Sequence, residues 1–156
     1  MPDLDIDWSL VASHMIDLGV AYLLALPIAW DRERNERSAG LRTFPLTAIA
    51  ACGYTLTGIH VFDTAEAQAR VVEGVITGIG FIGGGAILKS KMQIKGTATA
   101  AGLWATGAIG LSVAYDRHEI AIVISIVTFA TLSMLGGIKA TLRPEEARAG
   151  AAEQDN

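Results

Sequence analysis

GVITGIGFIGGGAIL, running from Gly74 to Leu88, decides how the rest of the chain is read. Glycine stands at 74, 78, 80, 83, 84 and 85, and no residue in the run is charged. In water, a helix with that content loses roughly 0.5–1 kcal/mol per glycine relative to alanine. In a bilayer, backbone N–H and C=O groups have no water to turn to, so the helix is enforced and glycine becomes a surface for close helix approach. Gly78, Gly80 and Gly83 also spell the G-x-G-x-x-G of a dinucleotide site. That fingerprint needs a preceding strand, a βαβ unit and an acidic residue about 20 positions on, whereas alanine and glycine surround position 100. The cofactor reading is therefore rejected. Packing surface and lining of a ligand path both stay open for the glycines.

Working outward, charge depletion separates membrane from soluble classes. Only 18% of the 156 residues are charged and 51% are hydrophobic, against about 25% charged in ordinary globular chains. The charges lie in short islands between apolar runs of about 20 residues, the length that crosses a bilayer. The acidic start MPDLDIDWSL lacks the basic region and small-residue cleavage site of a secretory signal, so the first span is expected to be retained. The single cysteine, Cys52, lies inside an apolar run and is expected to pack as a small apolar residue.

Five helical spans are expected, at about Leu10–Trp30, Thr43–Phe62, Ala69–Leu88, Thr97–Tyr115 and Glu119–Ile138. Ten of the twelve cationic residues then fall on one side: Arg32, Arg34, Arg37 and Arg42, then Lys89, Lys91 and Lys95, then Lys139, Arg143 and Arg148. Only Arg70 and Arg117 fall on the other, among Asp3, Asp5, Asp7, Asp63, Glu66, Asp116 and Glu119. The positive-inside rule places the N-terminus outside and the C-terminus in the cytoplasm. The expected fold is an all-α polytopic membrane bundle of about five transmembrane helices. Residues 1–143 form its one domain and 144–156 a short polar tail. Gly102, Gly107 and Gly110 repeat the small-residue theme in the fourth span, which short connections make a direct neighbour of the third.

Two carboxylates fall inside spans. Asp17 and Glu73 come to similar depth, roughly 6–10 Å below the outer boundary at 1.5 Å per residue. Ionised carboxylates there cost about 1–3 kcal/mol each unless paired, hydrated or protonated, which makes them functional candidates. Arg70, Glu73 and Thr77 share one helix stripe, and His14 and Asp17 share another. The plain reading is an Arg70 to Glu73 interfacial pair; the sharper one is an outward cavity in which Asp17 and Glu73 attract a cation or relay protons. A second polar group lies at the cytoplasmic end: Asp31, Arg32, Glu33, Arg42, Thr43, Lys95, Thr97 and Thr99. There, guanidinium groups at span edges need fixed carboxylate partners, so the group reads as an inner gate or a helix-end clamp, against a plain positive-inside anchor.

No catalytic arrangement is present. The chain has no Ser/His/acid set at motif spacing, no Cys/His cluster and no phosphate loop, and His14, His60 and His118 share no short metal-ligand spacing. No enzymatic activity, cofactor or nucleic-acid partner is expected, because topology alone accounts for the cations. His60 and His118 read as interfacial residues.

Three blocks carry a resemblance. Ala29–Thr43 (AWDRERNERSAGLRT) is similar to a GxERE stretch followed by GLRT. Arg70 leading into GIGFIGGGAIL is similar to an arginine followed by GIGF and small residues. Ile94–Gly110 (IKGTATAAGLWATGAIG, with Trp104 inside it) is similar to a GLTTAA, LW, AxIG pattern. In this order and spacing they resemble the MgtC/SapB family of bacterial inner-membrane proteins, across spans one to four. Asp31 stands where that family usually has glutamate, Ala29 where it has glycine, and Gly74 where it often has glutamine. Thr97 and Ala98 replace a leucine and a threonine. The resemblance implies a multi-pass protein of the bacterial inner membrane, linked to magnesium limitation, acid stress and intracellular survival, here as the membrane core without the soluble C-terminal domain of longer members. It implies transport or sensing of an ion or small solute, or else a non-transporting regulatory role through another membrane complex such as ATP synthase. The expected partners are the lipid bilayer, a cation or small solute, a membrane protein and further copies of the chain. The candidate residues are Asp17, Arg70, Glu73, Thr77, Asp31, Arg32, Glu33, Arg42, Thr43, Thr97 and Thr99 for a polar or solute site. Gly74, Gly78, Gly80, Gly83, Gly84, Gly85, Gly102, Gly107 and Trp104 are the candidates for packing or hinge positions, with the Gly83–Gly85 triplet as the point where a helix bends or breaks.

Overall fold

A computed structural model describes residues 6–34, 39–89 and 94–142. The tail expected over 144–156 lies outside them. Five helices run in order: α1 (Trp8–Arg34), α2 (Thr43–Val61), α3 (Ala65–Gly85), α4 (Thr97–Ala114) and α5 (His118–Leu142). Each covers one expected span, so the all-α bundle is what the sequence forms. α1, α2 and α4 are long and apolar enough to cross a membrane. Between α3 and α4 the chain makes a two-residue antiparallel pair, β1 (Leu88–Lys89) with β2 (Ile94–Lys95), Leu88 opposite Lys95.

Helix ends follow local chemistry. The Asp7 carboxylate accepts from the Ser9 and Leu10 amides at 2.9 and 3.2 Å, capping α1. The Thr64 hydroxyl accepts from the Ala67 amide at 3.2 Å, capping α3 with Glu66 in its first turn. Gly96 leads into α4 with φ of +92°, and a side chain there would run into the Ala86 carbonyl. Only glycine fits that corner without strain.

α4 is the axis of the bundle and packs on all four other helices, whereas α3 rests on α2 and α4. The core interleaves alanines and Cys52 with a few large side chains: Ala21, Ala25, Ile28 and Ala29 of α1, Phe44, Ala48, Ala51 and Cys52 of α2, Leu103, Ile109 and Val113 of α4, and Ala121 of α5. At Gly110 the α2 backbone comes so near that an added Cβ would strike the Ala48 carbonyl and lie 2.9 Å from the Ala51 Cβ. Gly102 takes the Phe44 ring and Leu132, and Gly107 takes Ile79. This is close packing of small-residue faces, which serves where lipid removes the hydrophobic drive between helices.

Hydroxyls within the helices are satisfied locally. Thr47, Thr55, Thr57, Thr77, Thr106 and Ser112 each donate to the carbonyl four residues earlier, at 2.7–2.9 Å. Ser125 instead donates across to the Leu24 carbonyl at 2.6 Å, tying α5 to α1.

Candidate functional site

The polar groups gather at the two ends of the bundle. At the end where α1 finishes, Asp31 and Arg32 are buried together, 8% and 4% exposed. The Arg32 guanidinium forks onto the Asp31 carboxylate, with Nε donating at 2.9 Å, and its terminal nitrogen also donates to the Leu132 carbonyl at 3.2 Å. Glu33, expected beside these bases, turns the other way. Its Oε2 accepts from the Leu41 amide at 3.1 Å and lies where a Cβ on residue 40 would have to be. Of the alternatives for this end, the geometry is that of a clamp: Asp31 and Arg32 fix α1 to α5, and Glu33 fixes the chain as it turns into α2.

The other candidates of this group lie on or beside α2, β2 and α4. Arg42 is exposed at the start of α2, and Thr43 opens that helix. Thr97 is exposed at the start of α4, while Thr99, one turn in, is buried. Lys95 is exposed on β2.

At the opposite end, Asp17 and Glu73 do not share a cavity. Glu73 is exposed on α3, which leans on α2 and α4 rather than on α1. The expected Arg70 to Glu73 ion pair is not formed: both side chains are exposed, and the ion pair among the described residues is Asp31 with Arg32. Three-residue spacing permits such a contact but does not compel it where both groups reach open surroundings. Asp17 instead faces the α4–α5 turn, and its carboxylate, that of Asp116 and a His118 ring nitrogen lie within 4.8 Å of one another. Nearby, His14 and His60 meet edge to face, ring centroids 4.9 Å apart, in a shallow groove of about 390 Å³ between α1 and α2. His60 Nδ1 bonds the Leu56 carbonyl at 2.8 Å, whereas His14 Nε2 is buried with no hydrogen-bond partner among the described residues.

The glycines divide sharply. Gly83 packs against Ala100 of α4, and Gly102 and Gly107 are filled by neighbours, but Gly74, Gly78, Gly80, Gly84 and Gly85 have nothing within 4 Å of an added Cβ. Helical periodicity sets these five on the same broad face as Arg70, Glu73, Thr77 and Phe81, which is 84% exposed. The Gly83–Gly85 triplet is no mid-helix hinge: it is the last turn of α3, closed by the Ala86 amide bonding back to Ile82 and Gly83. Trp104 stands 58% exposed on α4.

Sequence spacing did not bring Asp17 together with Asp116 and His118, or His14 with His60. The signal available was topological: the N-terminal part of α1, the end of α2 and the α4–α5 turn all belong to one side of an antiparallel bundle.

The profile of the MgtC family matches residues 18–141. The chain belongs to the MgtC family. Among MgtC-family relatives, it is 31% identical to protein SrpB of Synechococcus elongatus over 146 residues, covering 85% of this chain and 77% of that one. It is 30% identical to protein MgtC of Salmonella typhimurium over 118 residues, 76% of this chain and 50% of the relative. With protein MgtC of Brucella abortus the identity is 31% over 144 residues, 92% and 60%. The chain thus spans about half the length of the Salmonella MgtC. No solved structure matches it. Family and helices together make this an MgtC-family membrane protein.

Proposed function

We propose that this MgtC-family protein acts as a regulatory partner in the bacterial inner membrane, docking the open face of α3 onto a transmembrane helix of another copy or of a separate membrane complex. The observation that carries the reading is the contrast between two glycine-rich helices. The glycines of α4 are all filled by neighbours, while five of the six in α3 face open space. Small-residue faces are the surfaces on which membrane helices pair, because backbone can approach backbone there. Beside the glycines, Arg70 and Glu73 have no ion-pair partner among the described residues and Thr77 lies between them and Phe81, a polar set that a helix with a matching charge or amide would satisfy better than lipid. The distribution of cations supports an orientation with the N-terminus outside and the Arg32 clamp in the cytoplasm.

Transport or sensing of an ion or small solute ranks second. Its supporting feature is the buried charge at Asp31 and Arg32; two shallow grooves lie at the other end, one by His14 and His60 and one by Ser112, Tyr115 and Arg117.

Cysteine placed at Gly78 or Gly84 in a Cys52→Ser background tests the reading in native membranes. Cross-links between copies, or to another membrane protein, at these positions and not at the lipid-facing Val123 support docking. Gly78→Ile and Gly84→Ile should then abolish association while leaving the chain folded. Cation flux in proteoliposomes from the purified protein alone, unaffected by these two changes, would overturn it in favour of transport.

A further inference from the structure

The cluster that the docking face leaves unused is at the other side of the bundle. Asp17 comes from α1, Asp116 from the α4–α5 turn and His118 from the first residue of α5, and their oxygen and nitrogen atoms converge within 4.8 Å. Asp17 and His118 are half-buried and Asp116 is exposed. These donors converge without bonding one another: among the described residues neither carboxylate has an ion pair, although Arg117 sits between Asp116 and His118 in the chain. Two carboxylates brought that close at the edge of a low-dielectric bundle repel unless positive charge lies between them. Among the described residues no lysine or arginine pairs with either carboxylate, and the third group is an imidazole with a lone pair to offer.

We infer that Asp17, Asp116 and His118 bind one divalent transition metal of the zinc or manganese type. The donor set decides the class. Magnesium and calcium favour shells made of oxygen alone, whereas one imidazole with carboxylates suits zinc and its first-row neighbours. Three protein ligands leave a coordination position open to water or to an incoming group. Zinc–ligand bonds of about 2.0–2.2 Å require the three donors to draw together, which rotation of the exposed Asp116 side chain allows. Bound there, the ion joins α1 to the α4–α5 turn at the end opposite the Asp31 and Arg32 clamp. α3 contributes nothing to this site, so it stands or falls separately from the docking reading.

The test is titration of the purified full chain, in detergent or nanodiscs, with Zn²⁺, Mn²⁺ and Mg²⁺ separately. One Zn²⁺ per chain is expected, displaced by Mn²⁺ only in large excess, as the order of divalent affinities requires, and not by the same excess of Mg²⁺. Asp17→Asn, Asp116→Asn and His118→Gln should each weaken binding at least tenfold, while His14→Gln and His60→Gln leave it unchanged. Pulsed EPR of bound Mn²⁺ should show nitrogen coupling that His118→Gln removes. Asp116 is exposed on a turn, so its variant keeps the fold and the test informative should Asp17→Asn fail to fold. Absence of saturable Zn²⁺ binding, equal competition by Mg²⁺, or unchanged binding in Asp116→Asn and His118→Gln overturns the proposal. So does a His118 that titrates as an imidazolium between the two carboxylates with no metal bound.

Discussion

The Arg32 guanidinium reaches the main-chain carbonyl of Leu132 at 3.2 Å while forking onto Asp31, so a side chain at the end of the first helix holds the last one in place. Arg32→Ala removes the ion-pair partner of a buried carboxylate and the tie to α5 together. A loss of about 3–5 kcal/mol is expected, read as a lowered midpoint of unfolding in detergent. Arg32→Lys should recover only part of it, because an ammonium cannot reproduce the fork. A wild-type midpoint for Arg32→Ala would show that the clamp is ornamental.

Gly110 and Gly78 predict opposite outcomes from the same substitution. At Gly110 an added methyl strikes the Ala48 carbonyl, so Gly110→Ala should separate α2 from α4 at a cost of about 1–3 kcal/mol. At Gly78 nothing lies within 4 Å, so Gly78→Ala should stabilise the isolated chain by up to about 1 kcal/mol through helix propensity. Unfolding of both variants as monomers checks the pair.

The corner before α4 should tolerate no side chain. Gly96→Ala combines a left-handed backbone with a clash on the Ala86 carbonyl, and left-handed geometry alone costs about 1–2 kcal/mol. Loss of protection in hydrogen exchange should concentrate at the β1–β2 pair and the first turn of α4.

Asp7 makes the start of α1 sensitive to acid. Hydrogen bonds from the Ser9 hydroxyl and from the Leu10 and Ser9 amides hold its carboxyl below the ordinary value of 3.8. Because the folded value is the lower one, the cap's contribution is complete above the ordinary value and is lost as pH falls below 3.8 and through the folded value. Hydrogen exchange across the first turn of α1 should lose protection in that range. Asp7→Asn, which keeps a capping oxygen, should remove the pH dependence but not the cap.

How much could be read in advance differs between fold and site. Helix ends were legible to within a few residues because apolar length and the charged turns are local signals. Thr43 and Thr97 were expected as helix starts and are found there. The Asp31 and Arg32 pairing was legible as well, since adjacent opposite charges at a span edge have few other ways to be buried. Asp17 was read beside Glu73, whereas its carboxylate lies beside Asp116 and His118. Equal depth on two helices does not make them adjacent, and α3 leans away from α1. The glycine run hid a similar ambiguity: spacing shows that a face is small, while only packing shows whether the bundle uses it. Gly83 is used and Gly84 is not.

The central position of α4 has a consequence for biogenesis. Chains enter a membrane N-terminus first, and α1, α2 and α3 all precede the one helix that touches each of them. Until α4 emerges, α1 has only α2 to pair with, and α3 rests on α2 alone. The open glycine face of α3 is then at its most available, so a partner could be recruited while the protein is still being made, before the bundle closes.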